Sequence, residues 1–320
     1  MKIQNKYMKN KKTINLLTHS GLFHADDIFA TALLTLYFKN KEPKTKLKYK
    51  RSIEQKDIDK ADIVYDIGRI HNPKKLRFDH HQNDSGLVRK NGIPYAAFGL
   101  VFRHFGLELI SMISDNKNKK FVQECFDGVE KKLVLHIDAM DNGVLTYKQI
   151  IDDVDVLTID NYFRIARSIV KSKGPKEMDK KFFELVKLSE SIIENIILYA
   201  IKTLKEKEVA IKFYKKAKDK RVIVCDVFFN FKKFPEPLIT VYPDLRGNWS
   251  AKVVEKDGEL YNARIYFPES WRGLDDGELE KVTGIEGSTF CHKSGFLAVN
   301  KTKEGVLKMV YEAFKILKIK

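Results

Sequence analysis

The chain has 320 residues, of which 43% are hydrophobic, with 17 Gly and 8 Pro; this balance excludes a collagen-like or disordered chain and leaves room for two domains or one large one. Its formal net charge of +16 marks either a lysine-rich solvated surface or a partner for an anion such as nucleic acid, a nucleotide or another phosphate compound. Three scattered cysteines (Cys125, Cys225 and Cys291), with no CxxC pair, exclude a disulfide framework and a thiolate zinc site and suit a reducing, cytoplasmic setting. No apolar run of about 18 residues reads as a membrane span, and residues 1–12 read as a basic tail rather than a signal peptide.

In chain order, 13-TINLLTH-19 reads as a short buried strand and 20-SGLFHADD-27 as the turn after it. Residues 28-IFATALLTLYF-38 repeat apolar side chains at helical spacing. Further strands are predicted at 46-KLKYKRS-52, 61-ADIVYDIG-68 and 76-LRF-78, and helices at 94–112 and about 119–141. Alternating strands and helices predict an α/β fold with a parallel sheet over residues 13–155. Residues 156–220 read as a charged helical connector, with 182-FFELVKLSESIIENIILYAIKTL-204 at helical apolar spacing. The pattern then changes to strands at 222-VIVCDVF-228 and 238-LITVYPD-244, a hairpin within 250–267 turning at Asp257-Gly258, and a closing helix at 303–318. Residues 221–320 are therefore a second, smaller α+β domain.

In a parallel α/β sheet, ligands bind beyond the carboxyl ends of the strands. His19, Asp66 and the run Asp79-His80-His81 each fall at such an end, which would bring three separated segments to one edge. With His24, Asp26 and either Asp138 or Asp141 they form a set of imidazoles and carboxylates without thiolate, suited to Mn²⁺, Mg²⁺, Fe²⁺ or Co²⁺ and less exclusively to Zn²⁺. A pair of ions would need a bridging carboxylate, for which Asp66 and Asp26 are the candidates. Each residue also has an ordinary explanation: acids in the first turn after His24 favour the helix dipole, and Asp141-Asn142-Gly143 resembles a helix stop.

The stretches 18-THSGLFHADDIFA-30, 62-DIVYDIG-68, 79-DHHQ-82, 137-IDAMDNGV-144 and 268-PESWRGLDDGELEKVTGIEGSTFCHKSGFLA-298 resemble the motifs of the MYG1 family, which is similar in turn to the DHH phosphoesterases. The resemblance spans roughly residues 13–300. It implies a two-metal phosphodiester hydrolase that prefers Mn²⁺ and acts as a 3′→5′ exonuclease on RNA. The implied architecture is a DHH-like metal domain followed by a DHHA1-like substrate-binding domain, with the active site in the cleft between. Residue by residue, it implies His19, His24 and Asp26 as a first ligand cluster, Asp66 as the bridge, His80 as a ligand, Asp138 or Asp141 as the closing ligand, and His81 oriented by Asp79 as the group facing the phosphate. In the second domain Arg264, Arg272, His292 and Lys293 are the candidate phosphate contacts, and Gly284 and Gly287 would let backbone N–H groups approach an anion. Trp249, Tyr261, Tyr266 and Trp271 are candidate base-stacking residues. Two alternatives remain at this point: the same chemistry on a small substrate such as pyrophosphate, a dinucleotide or nanoRNA, or an inactive RNA-binding protein.

Overall fold

A computed structural model describes residues 11–82, 87–170, 174–259 and 262–319, and divides the chain into two compact units, residues 1–204 and 205–320. In the first, a five-stranded sheet in the order β2-β1-β3-β5-β4 is built from β1 (Thr13–Thr18), β2 (Lys46–Arg51), β3 (Ile63–Tyr65), β4 (His71–Asn72) and β5 (Arg77–Phe78). Strands β2, β1, β3 and β5 run parallel, with Leu16 opposite Ile63 and Val64 opposite Arg77. The sheet is nonetheless mixed, because β4 pairs antiparallel with β5 at the edge. Two-residue strands are too short to show a side-chain alternation, so this hairpin leaves no pattern in the sequence.

Helix α1 (Ala25–Lys41) follows β1 and buries every residue from Ala25 to Phe38, which is why its sequence is apolar nearly all round. A short α2 (Gln55–Lys60) precedes β3. Helix α3 (Ala97–Ser114) packs against α1; it is long and apolar enough to cross a membrane by composition, but its apolar side, including Phe98, Leu109 and Ile110, belongs to the core. The predicted helix over 119–141 forms as α4 (Lys119–Val129), a π turn (Glu130–Val134) and α5 (Leu135–Asp141). Helices α6 (Ile159–Ser168) and α7 (Pro175–Lys216) follow, the latter belonging to the first unit as far as Leu204.

One glycine is required by a close approach. A Cβ on Gly99 would lie 1.8 Å from Asp138 Oδ2, because the Gly99 N–H donates to Asp138 Oδ1 at 3.0 Å across the packed helices.

The second unit holds a mixed sheet ordered β6-β7-β8-β10-β9, from β6 (Val222–Val224), β7 (Ile239–Pro243), β8 (Trp249–Val253), β9 (Ser288–Cys291) and β10 (Leu297–Asn300). Helix α8 (Asp276–Thr283) packs against β9, and α9 (Lys303–Ile316) packs on β7, β8 and β10. The predicted hairpin across 250–267 forms only as a short one. Both edges of β8 are taken by β7 and β10, and among the described residues the antiparallel pairing across Asp257-Gly258 is the bridge of Glu255 to Ala263, flanked by the Lys256 N–H donating to the Asn262 carbonyl at 2.8 Å and the Arg264 N–H to the Val254 carbonyl at 2.9 Å. Strand 222–228 is likewise cut to three residues.

Candidate metal centre

The carboxyl ends of β1 and β3, the segment after β5, the start of α1 and the end of α5 meet in the first unit. There His19, His24, Asp66, Asp79, His80, His81 and Asp141 line one cavity of about 880 Å³. The loop carrying His19 and His24 is pinned by two arginines that lie outside the family motifs quoted above. Arg51 donates to the Gly21 carbonyl at 2.8 Å, and Arg167 donates to the Phe23 carbonyl while its guanidinium lies over the Phe23 ring.

His19 emerges from β1 with Nδ1 3.1 Å from the Ser20 carbonyl. A hydrogen there donates to that oxygen, so Nε2 is left facing Asp27 Oδ2 and Asp66 Oδ2, each at 3.2 Å. Two carboxylates facing one imidazole nitrogen demand a positive charge between them. Burial lowers the His19 pKa, but the hydrogen bonds to Asp27 and Asp66 outweigh it and hold the ring at about 10. The two carboxylates thus favour positive charge at this nitrogen.

Asp66 follows β3 with φ +57, a left-handed backbone that is uncommon outside glycine, asparagine and aspartate. Its Oδ1 lies 3.4 Å from His80 Nε2, and that nitrogen is also 3.3 Å from Asp141 Oδ2 and 4.0 Å from Asp26 Oδ2. Burial raises the Asp66 carboxyl, yet its bonds to His19 and His80 bring it down to about 2. Asp26 is different. It is 0% exposed, and neither of its carboxylate oxygens finds a hydrogen-bond partner among the described residues. Burial, then the charges of Asp66, Asp141 and Asp27, push its carboxyl well above the usual range. Burial and Asp66 also raise Asp141.

Three triplets have ligand atoms mutually within 4.8 Å: His19, Asp27 and Asp66; Asp66, His80 and His81; His24, Asp26 and Asp141. Asp66 is shared by the first two. A divalent cation would satisfy the Asp26 oxygens and offset the clustering of Asp26, Asp27, Asp66 and Asp141, so the donor set fits a hard or borderline metal. A stability measurement checks this. Without metal, Asp26→Asn should unfold about 2 kcal/mol harder than the native chain, since an amide sheds the buried charge. The raised carboxyl fixes the sign: the advantage should grow as pH rises above the ordinary carboxylate range. Mn²⁺ at a hundredfold excess over its Kd should stabilise the native chain by about 2.7 kcal/mol and the variant hardly at all, reversing their order. A metal-free variant weaker than the native chain would mean that Asp26 is not an uncompensated charge.

His81, a member of the second triplet with Nδ1 3.7 Å from Asp66 Oδ1, is held by Asp79, which belongs to none of the three. Asp79 is buried; its Oδ1 accepts from the His81 N–H at 3.1 Å and lies 2.7 Å from His81 Nδ1, and its Oδ2 accepts from the Arg69 N–H. The ring of His81 is 57% exposed, with Nε2 left outward. The bond to Asp79 raises the His81 pKa against a smaller lowering by burial.

The structure leaves Asp138 out of the cluster. Although Asp138 and Asp141 share a helix, Asp138 points to the Gly99 N–H and to Arg89 Nη2 at 2.7 Å, and burial holds its carboxyl up, at about 7, against the pull of Arg89. Asp27, read from sequence only as a first-turn acid, is drawn in: Oδ1 caps α1 through the His24 N–H while Oδ2 faces His19.

In the second unit, Tyr266, Arg272 and His292 line a cavity of about 720 Å³ with Lys252 and Phe296, and the His292 ring lies 4.2 Å from that of Phe296. The other expected contacts there are committed elsewhere. Arg264 donates to the carbonyls of Lys232, Pro235 and Pro237, and the Gly287 N–H donates to the Glu280 carboxylate, so neither is free for an anion. Gly284 serves as the left-handed cap of α8, Lys293 is exposed outside the cavity, Trp271 is core, Trp249 lies under the Lys303 ammonium, and Tyr261 lies outside the described residues.

An α/β unit that converges imidazoles and carboxylates at the carboxyl edge of parallel strands defines a candidate divalent-metal protein. The family model described as MYG1_exonuc, Uncharacterised protein family (UPF0160), matches residues 15–314, and the chain belongs to that family. It is similar to the MYG1 protein of Dictyostelium discoideum, 28% identical over 92% of this chain and 95% of that one. It is similar also to a MYG1 protein of Schizosaccharomyces pombe, 27% identical over 94% and 97% of the two chains. The MYG1 exonuclease of Mus musculus is 28% identical over 91% of this chain and 82% of its own.

Proposed function

We propose that this chain is a metal-dependent phosphodiester hydrolase that removes nucleotides from the 3′ end of RNA, with two Mn²⁺ ions in the first unit. The observation that carries the reading is the buried, partnerless Asp26 carboxylate inside a cluster of His24, Asp66, His80 and Asp141. The naming of mammalian relatives as exonucleases supports the substrate class, and the +16 charge suits an extended polyanion. In this reading the architecture is DHH-like, His19, Asp27 and Asp66 hold one ion, and His24, Asp26 and Asp141 hold the other. Asp66 would be the bridging carboxylate, linked to the second set through His80, whose Nε2 lies 3.4 Å from Asp66, 3.3 Å from Asp141 and 4.0 Å from Asp26. Divalent ions supply Lewis acidity in such a setting.

The chain's own groups do the rest. His81, held through Nδ1 by buried Asp79, keeps Nε2 outward and its pKa raised, the arrangement of a proton donor to a leaving oxygen near neutral pH. In the second unit Arg272 and His292 are the proposed substrate contacts.

Digestion of end-labelled single-stranded RNA with Mn²⁺, beside His80→Ala, tests this. Stepwise shortening from the 3′ end by the native chain, reduced at least about a hundredfold in the variant, is expected. Folded, metal-loaded protein that leaves RNA intact but cleaves pyrophosphate or a dinucleotide would replace the RNA reading with a small-substrate one.

A further inference from the structure

The cavity that holds the acidic cluster has another wall, formed by Asp160, Phe163, Arg164 and Arg167 of α6, with Arg69 at the segment after β3. Three cations thus face a wall of carboxylates, yet the arginines are not spent alike. Arg167 is engaged with the Phe23 carbonyl and ring. Arg164 is exposed, and its guanidinium makes one hydrogen bond among the described residues, to Asn161 Oδ1 on its own helix at 3.1 Å. It forms no ion pair there with Asp160 one turn earlier or with any other described acid. Arg69 is also exposed; its backbone is fixed at φ +52 by the N–H bond to Asp79 Oδ2, and its side chain has no hydrogen bond or ion pair among the described residues.

We propose that Arg164 and Arg69 form a phosphate-binding subsite in the first unit, taking the backbone phosphate of a bound oligonucleotide next to the one at the acidic cluster. This rests on the proposed function and adds to it a place for substrate binding within the first unit itself. A guanidinium presents a planar fork of donors that matches two phosphate oxygens. Two unspent forks on the rim of a cavity whose floor holds carboxylates are placed to do three things. They draw in an anion, they orient it, and they keep it from approaching in a register where it would meet only negative charge. The buried aromatic Phe163, stacked on Phe29 with ring centroids 5.8 Å apart, anchors the α6 turn that presents Arg164. Because both arginines bind phosphate and not base edges, the subsite would confer little sequence preference.

The test uses the full chain and a fluorescein-labelled uridine trinucleotide, with binding followed by anisotropy in CaCl₂ across a salt series, and with a MnCl₂ titration by calorimetry in parallel. Arg164→Gln is expected to weaken trinucleotide binding about tenfold, the effect of removing one charge-assisted hydrogen-bonding group. Arg69→Gln/Arg164→Gln should weaken it about a hundredfold if the two act independently. The salt dependence should become shallower by about 0.7 in log–log slope for each phosphate that is no longer neutralised, which a purely structural role would not produce. Arg164→Lys should recover part of the affinity, and Mn²⁺ binding should be unchanged in all variants.

Unchanged affinity and slope in the double variant would overturn the subsite. So would a parallel fall in Mn²⁺ affinity, which would assign the arginines to balancing the acidic wall, and so would a native chain that does not bind the trinucleotide. A native chain that binds the trinucleotide through these arginines but hydrolyses no phosphodiester would instead remove the proposed function and leave the subsite standing.

Discussion

Asp66→Asn is expected to reduce Mn²⁺ binding by about a hundredfold or more and phosphodiester turnover by at least as much, with the fold retained. Loss of a residue that merely supports a metal ligand already costs up to about a hundredfold, and Asp66 belongs to two of the three ligand triplets. Asparagine is the informative replacement. It tolerates the left-handed backbone at φ +57, where alanine would add strain of its own. The metal-free protein gives a second readout, opposite in sign to that of Asp26. Asp66 is held at about 2 by His19 and His80, so its ionised form stabilises the fold above the ordinary carboxylate range, and that contribution disappears as pH falls towards 2. Metal-free Asp66→Asn should therefore be less stable than the native chain at neutral pH, whereas Asp26→Asn should be more stable. Calorimetric Mn²⁺ titration and urea unfolding at several pH values measure both, and a variant with native metal content and turnover would refute the assignment of Asp66 to the centre.

The largest stability effect is expected from Arg89→Ala, about 3–5 kcal/mol in urea unfolding above pH 7, because it removes the partner of the buried Asp138 carboxyl, which must then take up a proton or stay unpaired in the core. Arg89 lies 2.7 Å from Asp138 Oδ2, donates to Glu130 Oε1 at 2.9 Å, and stacks 3.7 Å from the Tyr95 ring centroid. The double variant Arg89→Ala/Asp138→Asn separates the causes. The neutral amide can still accept from the Gly99 N–H, so it should return the part of the loss that is electrostatic and leave the part that is packing. A cost below about 1 kcal/mol for the single variant would show that the pair is hydrated rather than buried.

The cluster residues at strand ends were legible because a short apolar run followed by a helical rhythm already implies a parallel unit with its binding edge at the carboxyl ends, where the structure does bring His19, Asp66 and His80 together. Asp27 was hidden because a first-turn acid needs no further explanation, and it does cap the helix with its other oxygen. The choice between Asp138 and Asp141 could not be made from helical spacing. It is decided by Arg89 and by the side-chain-free surface of Gly99, neither of which announces itself in sequence as a partner of α5. Arg164 lies in a stretch whose charge reads as a solvated arm, and only the fold shows that α6 turns it to a cavity. At Asp257-Gly258 the local turn signal was sound and the extent of the pairing was not legible. A short antiparallel pairing forms across the turn, but a longer ladder needs a free edge, and β8 has none.

The π turn between α4 and α5 carries a consequence of phase. Val122 and Asp141 are both set on the inner side of this helical run. Counted along an uninterrupted α-helix, nineteen steps of about 100° would leave them about 100° out of line, and the one additional residue absorbed by Glu130–Val134 cancels that difference. The turn therefore works as a vernier. It lets the first half of the run be packed by hydrophobic fit and the second half be aimed by the needs of the acidic cluster. Beyond Glu130, which accepts from Arg89, and the buried Leu133 and Val134, what it specifies is a residue count: its exposed Lys131 is free to vary in kind, while the number of residues between Val129 and Leu135 is not.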